Sequence, residues 1–147
     1  MFASGIKLPF QILFEHRPQY LSVSVWGFEN SYYIAREYWR RIVAMTCRRH
    51  YERILIRKDF ETRLLAAEKM AVMSEVAHSV KGVKVAVVDR HHDPKDRDFQ
   101  EMVCQNRGLI LRIFGDVREA EEWLLSDMPV LRTGAFVEPA RAMAAAA

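Results

Sequence analysis

The residue types best suited to chemistry lie together in one short stretch, Asp89-Arg90-His91-His92-Asp93. Carboxylates and neutral imidazoles can bind a divalent metal, and an imidazole beside a carboxylate can act as a general base. The spacing argues against a metal, because adjacent histidines seldom point the same way and no HxH, HxxxH or HExxH pattern is present. The stretch therefore predicts no metal site, and it favours a solvated polar loop over an anion-binding site.

The elements around this stretch would have to position it. The preceding run, VKVAVV, is nearly continuous in apolar residues, which is typical of a strand covered on both faces. Asp93 before Pro94 is typical of a helix start, and Phe99, Met102 and Val103 give that helix an apolar side. The ending LRIFGDVREAEEWLL repeats the strand-to-helix change. There Gly115 permits the turn and Asp116 can cap the helix.

Alternation and helical spacing predict the remaining elements. They are, in chain order, a hairpin over Ile12–Phe14 and Leu21–Val25 turned at Pro18, a helix from Asn30 or Ser31 to about residue 50, a strand over 53–57, and a helix from Asp59 or Thr62 to about Val80. The order is β-β-α-β-α-β-α-β-α. It predicts an α/β sandwich with a mixed five-stranded sheet, in which the last three strands are parallel and joined by right-handed crossovers.

The polar residues that follow the strands should meet at one edge, because open parallel sheets bind ligands beyond their carboxyl ends. The residues that we expect at this rim as an anionic-ligand site are Lys58, Asp89, Arg90, His91, His92 and Asp116. No Ser or Cys nucleophile falls in these turns, and no GxxxxGK phosphate loop is present. We therefore predict no catalytic residue. An enzyme would use His91 as base, with Asp59 or Asp89 to orient it.

The element order, the VAVVD strand and the LRIFGDVREAEEWL ending resemble the STAS-like superfamily, and within it the small soluble SpoIIAA-like branch. The resemblance covers about residues 9 to 126 and implies a non-enzymatic binding or regulatory module. Anti-sigma-antagonist members carry an Asp-Ser-Ser/Thr-Gly-type motif with a phosphorylated Ser after the third strand. Here that turn reads RKDFETR, so Asp59 matches the Asp, Phe60 replaces the acceptor and Thr62 is displaced. The resemblance thus implies binding without the usual phospho-acceptor Ser.

Two predicted surfaces suit a protein partner. The second helix carries apolar residues on more than one side, and its methionines suit adaptable contacts. The turn after the third strand is predicted to expose Phe60 as an aromatic anchor. The partner-binding residues that we predict are Lys58, Asp59, Phe60, Glu61, Met70 and Met73. A second copy of the chain is one partner that would suit such a surface.

The composition is that of a single globular domain, with 147 residues of which 50% are hydrophobic and 28% charged. A net charge of +3 is too small to predict nucleic-acid binding, and we expect none, although the rim chemistry would also suit a peripheral contact with anionic lipid. Cys47 and Cys104 form no CxxC pair and are expected to be idle thiols. The sequence shows no signal-peptide pattern and no apolar stretch near the ~18 residues that span a bilayer. We expect a cytoplasmic protein.

These observations lead to one main hypothesis. We predict a single STAS-like domain over residues 1–126, a mobile C-terminal tail over 127–147, and neither cofactor nor metal. The domain would act through protein–protein contacts. The alternative is a small anionic-ligand or lipid-binding protein that uses the rim of the sheet, and an enzyme is the third hypothesis.

Overall fold

The computed structural model describes residues 9–128, and the order of elements predicted from the sequence is confirmed. The elements are β1 (Gln11–His16), β2 (Leu21–Gly27), α1 (Tyr32–Arg49), β3 (Arg53–Phe60), α2 (Ala66–Ala77), β4 (Lys84–Asp89), α3 (Pro94–Asn106), β5 (Ile110–Phe114) and α4 (Val117–Leu124). Most of the predicted C-terminal tail lies outside the described residues.

The five strands form one mixed sheet in the order β1-β2-β3-β4-β5. β1 is antiparallel to β2, and every later neighbour in the sheet is parallel. The parallel set therefore contains four strands, because β2 joins the three that the sequence predicts. The coarse prediction of an α/β fold with a mixed five-stranded sheet is confirmed.

Alternation along the strands divides the sheet between two faces. One face packs on α1, α2 and α3, and we call it the three-helix face; its strand residues are Leu21, Val23, Val25, Ile54, Ile56, Val85, Val87, Leu111 and Ile113. The other face, the one-helix face, packs Leu55, Ala86 and Val88 against Ala120 and Leu124 of α4. Each large apolar side chain buried in these layers contributes about 1.5–3 kcal/mol.

Side-chain caps fix three of the helix starts. Ser31, Asp93 and Asp116 accept hydrogen bonds from backbone N–H groups in the first turns of α1, α3 and α4. Each such cap is worth about 1 kcal/mol; the sequence predicted Asp93 and Asp116 and gave Ser31 as one of two candidates, with Asn30.

The predicted boundary between β3 and α2 is wrong. β3 continues through Phe60, and α2 begins at Ala66 instead of Asp59 or Thr62 and ends at Ala77 instead of near Val80. The strand extends because it pairs on both sides, with Gly27 of β2 opposite Phe60 and Asp89 of β4 opposite Lys58. Tertiary pairing here overrides the local helix-start signals.

Gly27 makes this extension possible. A Cβ at position 27 would lie 2.9 Å from the carbonyl oxygen of Pro9 and 3.2 Å from the Phe60 ring. The absence of a side chain therefore lets the Phe60 ring enter the core, where it stacks on Tyr38 with ring centroids 5.6 Å apart.

Candidate functional site

The polar residues at the carboxyl ends of the strands are divided between the two faces of the sheet. Lys58 and Asp89 are opposite each other in the register and both lie on the three-helix face. Asp59 is one residue further along β3 and points to the other face, where its carboxylate pairs with Arg90 at 2.9 Å. Asp116 is occupied as the cap of α4. The six predicted ligand residues therefore do not form one site.

The loop after β4 uses its polar groups to hold itself in place. The Asp89 carboxylate accepts the backbone N–H of His91 at 3.0 Å, and the His92 ring bonds to the Asp89 carbonyl at 2.9 Å. The His92 ring also lies so close to Gly115 that a Cβ there would be 2.9 Å from its Cε1. Among residues 9–128, neither imidazole bonds to a carboxylate: the His91 ring accepts from Arg90, and the His92 ring bonds to the Asp89 carbonyl.

Lys69 is the residue at this rim that the sequence prediction missed. Its side chain reaches the sheet edge from the first turns of α2 and is only 12% exposed. Its closest carboxylate oxygen belongs to Asp96, 3.9 Å from Nζ, and within residues 9–128 the ammonium has no hydrogen-bond partner. Burial, followed by the nearby charge of Lys58, lowers the pKa of Lys69. A cationic group in this state is poised to accept an anion.

Three adjoining depressions meet at Lys69, and together we call them the Lys69 groove. Its charged end is lined by Asn30, Lys58, Thr62, Arg63, Asp89 and His91. Its apolar end is lined by Ala66, Met70 and Phe99, with Asp96 and Gln100 between the two ends. The cavities are only about 10, 20 and 10 Å³, room for about one water each. The groove therefore suits side chains docking on a surface better than an enclosed metabolite.

The predicted partner-binding residues are only partly surface residues. The prediction that Phe60 is an exposed anchor is wrong, because Phe60 is 4% exposed and packs in the core. Met73 is also buried, and Met70 is half-buried at the apolar end of the groove. Lys58 and Asp59 belong to β3 and lie on opposite faces, while Glu61 is exposed just beyond the strand.

The aromatic residue on this surface is Phe99, not Phe60. Phe99 is 54% exposed and Met102, one turn further along α3, is also exposed. The core-facing residues of α3 are Gln100 and Cys104. α3 therefore packs with Gln100 and Cys104 towards the sheet, and Phe99 remains in solvent beside Met70.

The two thiols lie in helices, as predicted, but in different environments. Cys47 is exposed on α1 and Cys104 is buried on α3. Burial raises the pKa of the Cys104 thiol to about 11, so this thiol stays protonated and unreactive at neutral pH.

Within residues 9–128 no group of three or more His, Cys, Asp or Glu residues is placed to hold a metal ion. None of the helices in this part of the chain is long and apolar enough to cross a membrane.

Comparison with models of known protein families gives no match, and comparison with curated proteins gives no significant relative.

Proposed function

We propose that the chain is a non-enzymatic STAS-like binding module that holds a protein partner in the Lys69 groove. The partner segment carries a carboxylate next to a large apolar side chain. The observation that carries this proposal is the position of a largely shielded lysine, whose ammonium has no hydrogen-bond partner within residues 9–128, beside an exposed aromatic ring: Lys69 and Phe99 line the same depression.

The charged half of the recognition follows from the state of Lys69. The Lys69 side chain is largely shielded, but its ammonium is not sealed from water, because no buried side-chain nitrogen or oxygen in residues 9–128 lacks a hydrogen-bond partner. Asp96, at 3.9 Å, is too far away to accept a hydrogen bond from it. A carboxylate from a partner would complete its coordination with a charge-assisted hydrogen bond, worth about 1.5–3 kcal/mol. Lys58 and Arg63 line the same end of the groove and add to the attraction, whereas Asp89 limits it.

The apolar half follows from the exposed residues of α2 and α3. Phe99 and Met70 present apolar surface to solvent at the end of the groove, and burying one aromatic side chain there would contribute about 2 kcal/mol. Methionine adapts its shape to different neighbours, and aromatic anchors dominate many interfaces.

Phosphorylation at the position implied by the family resemblance is not part of this proposal. Phe60 occupies the acceptor position with its ring in the core, and the Thr62 hydroxyl accepts the backbone N–H of Asn30 at 3.1 Å. Regulation of the proposed module would have to act elsewhere.

The test is a comparative pull-down from the native host with the full chain and paired variants, read out by quantitative mass spectrometry. Phe99→Asp and Lys69→Met should each reduce a shared set of captured proteins at least tenfold. The matched controls are Leu13→Asp, an equally exposed apolar site on β1, and Lys81→Met, an exposed lysine away from the groove. Capture that no groove variant reduces, or that the controls reduce equally, would contradict the proposal.

A second candidate function, binding of a small anion or an anionic lipid headgroup, is favoured by the same unbonded ammonium. Inorganic phosphate titrated into the full chain should then shift amide resonances around Lys69, and Lys69→Met should abolish the shifts. Vesicles with and without an anionic lipid distinguish a headgroup from free phosphate. Phosphate-induced changes in the amide resonances that persist in Lys69→Met would contradict this second function.

A further inference from the structure

The last strand of the sheet, β5, has an open side. The backbone N–H of Ile113 points away from β4, since it donates to the Glu101 carboxylate of α3 at 2.8 Å. Successive N–H groups of a strand point to opposite sides, so the N–H and C=O of Leu111 point outward as well. Within residues 9–128 the Leu111 N–H has no partner on that side. An unpaired strand edge is a template for pairing with another chain.

A hollow of about 460 Å³ runs along this edge. Its walls include Glu101 and Gln105 from α3, Trp123 from α4, and Leu109, Ile110 and Arg112 from the strand region. Ile110 is 48% exposed here, and the Arg112 guanidinium lies over the rings of Phe114 and Trp123, 5.5 and 5.7 Å from their centroids. The edge therefore offers backbone hydrogen-bonding groups, an exposed aliphatic side chain and a flat cationic surface together.

We propose that a second copy of this chain pairs antiparallel with β5, with the two-fold axis at Leu111. Each Leu111 then donates its N–H to the carbonyl of the other, which satisfies both edges reciprocally. The same register places Ile110 of one copy opposite Arg112 of the other, in a pair whose Cα atoms are about 4.5 Å apart. The exposed Ile110 is covered by the aliphatic stem of that arginine and by the neighbouring Trp123.

The charges at the two ends of the strand fit this two-fold arrangement. Glu101 lies at the level of Ile113, near the end of β5. At the start of the strand the Lys81 side chain lies against Gly108, 3.0 Å from where a Cβ would be. Antiparallel pairing sets Ile113 of one copy opposite Leu109 of the other, so each Glu101 approaches the Lys81 of the second copy. This complementarity favours a copy of the same chain over an unrelated strand.

The pairing is short. The N–H groups of Leu109 and Ile113 are already bonded within the chain, to the Cys104 carbonyl and to Glu101, so only the Leu111 pair adds backbone hydrogen bonds. We expect a weak dimer, with a dissociation constant on the order of tens to hundreds of micromolar.

The first test is sedimentation equilibrium of the full chain up to about 0.5 mM, a range set by the expected affinity. Ile110→Lys should weaken association at least tenfold, whereas Leu13→Lys should not. Leu13 is the matched control, since it is 49% exposed and lies on the opposite edge strand. Circular dichroism verifies that both variants fold. A wild-type chain that stays monomeric, or equal effects of the two variants, would overturn the proposal.

The second test checks the register by disulfide trapping. Combining Ile110→Cys and Arg112→Cys in a Cys47→Ser background places the new thiols opposite each other only in the proposed pairing, at a spacing that a disulfide can bridge. Oxidation should give a covalent dimer that peptide mapping assigns to a bond between positions 110 and 112. A covalent dimer should not form when Leu13→Cys replaces Ile110→Cys. Equal crosslinking of both pairs would refute the register.

Discussion

Two lysines are buried to the same extent at opposite ends of the parallel strands. The side chain of Lys84, at the start of β4, is 13% exposed, and that of Lys69, at the carboxyl edge, is 12% exposed. Their surroundings differ: the Lys84 ammonium has three hydrogen-bond acceptors, whereas that of Lys69 has none within residues 9–128.

Lys84 has a complete set of acceptors. Its ammonium donates to the carbonyl of Trp123 at 2.7 Å, to Ser126 Oγ at 3.4 Å and to Asp127 Oδ1 at 3.2 Å, and it lies 4.5 Å from the Trp123 ring centroid. Arg53 bonds to the same carboxylate and to the carbonyl of Leu124. Carbonyls in the last turn of a helix have no partner inside the helix, so these cations fasten the end of α4 to the sheet.

Lys69 has no comparable partners. Asp96 is its one close carboxylate within residues 9–128, and the distance of 3.9 Å is too long for a hydrogen bond. Lys84 thus stabilises the fold through its bonds to the Trp123 carbonyl, Ser126 and Asp127, whereas Lys69 is the cation of the proposed partner site.

The largest expected effect is on stability. Lys84→Met should lower the free energy of unfolding by about 2 kcal/mol, because it removes the ammonium that bonds the Trp123 carbonyl and one of the two cations that bond Asp127. Lys69→Met should change it by less than about 0.5 kcal/mol, because it removes a poorly solvated charge whose partner stays accessible to water. Urea unfolding at pH 7, followed by circular dichroism, measures both. Similar decreases in unfolding free energy in the two variants would mean that Lys69 also stabilises the fold.

The part of the site that could be predicted from the sequence is its location. Lys58 and Asp89 lie near the carboxyl ends of neighbouring parallel strands, and the apolar patterns of those strands were enough to place both residues at one edge. The division between the faces could also have been derived, because Ile54, Ile56 and Lys58 alternate and Asp59 must then point away.

Other features depend on contacts between distant segments. The end of β3 is set by pairing with β2 and β4, which outweighs the helix-start signal at Asp59. The exposure of Phe99 depends on how α3 is rotated about its axis against the sheet. The apolar pattern of α3 alone favoured an orientation with Phe99 facing the sheet. Lys69 did leave a signal, since it falls on the stripe between Ala66 and Met73, where an apolar residue is expected.

A smaller effect should appear in the pH dependence of stability at the Lys84 end. Hydrogen bonds from Arg53 and then Lys84 hold the pKa of Asp127 at about 2, below its ordinary 3.8. A depressed carboxyl pKa contributes stability that is fully present above the unfolded value and is lost as the pH falls through the folded value. Because Asp127 is mostly exposed, the contribution should stay below about 1 kcal/mol.

The comparison of wild type with Asp127→Asn measures this contribution. Their difference in unfolding free energy should be constant from about pH 5 to 7 and shrink between pH 4 and pH 2, in line with the linkage relation. In a Lys84→Met background the same difference should be smaller at every pH, because one of the two cations that bond Asp127 is gone. If the difference in unfolding free energy between wild type and Asp127→Asn did not change with pH, Arg53 and Lys84 would not be keeping Asp127 ionised.

The smallest effect concerns Lys69 itself and tests the comparison most directly. Reductive methylation with ¹³C-formaldehyde gives each lysine an NMR signal, and the signal missing in Lys69→Arg belongs to Lys69. Its titration midpoint should lie below that of methylated lysine in the urea-unfolded chain, because burial lowers the pKa of Lys69.

The folded chain then holds this proton less tightly than the unfolded chain, so stability relative to Lys69→Met should rise slightly with pH through that interval. An acidic peptide or phosphate bound in the groove should move the midpoint upward. A midpoint that matches the unfolded chain would mean that water already solvates this ammonium, and the contrast with Lys84 would lose its physical basis.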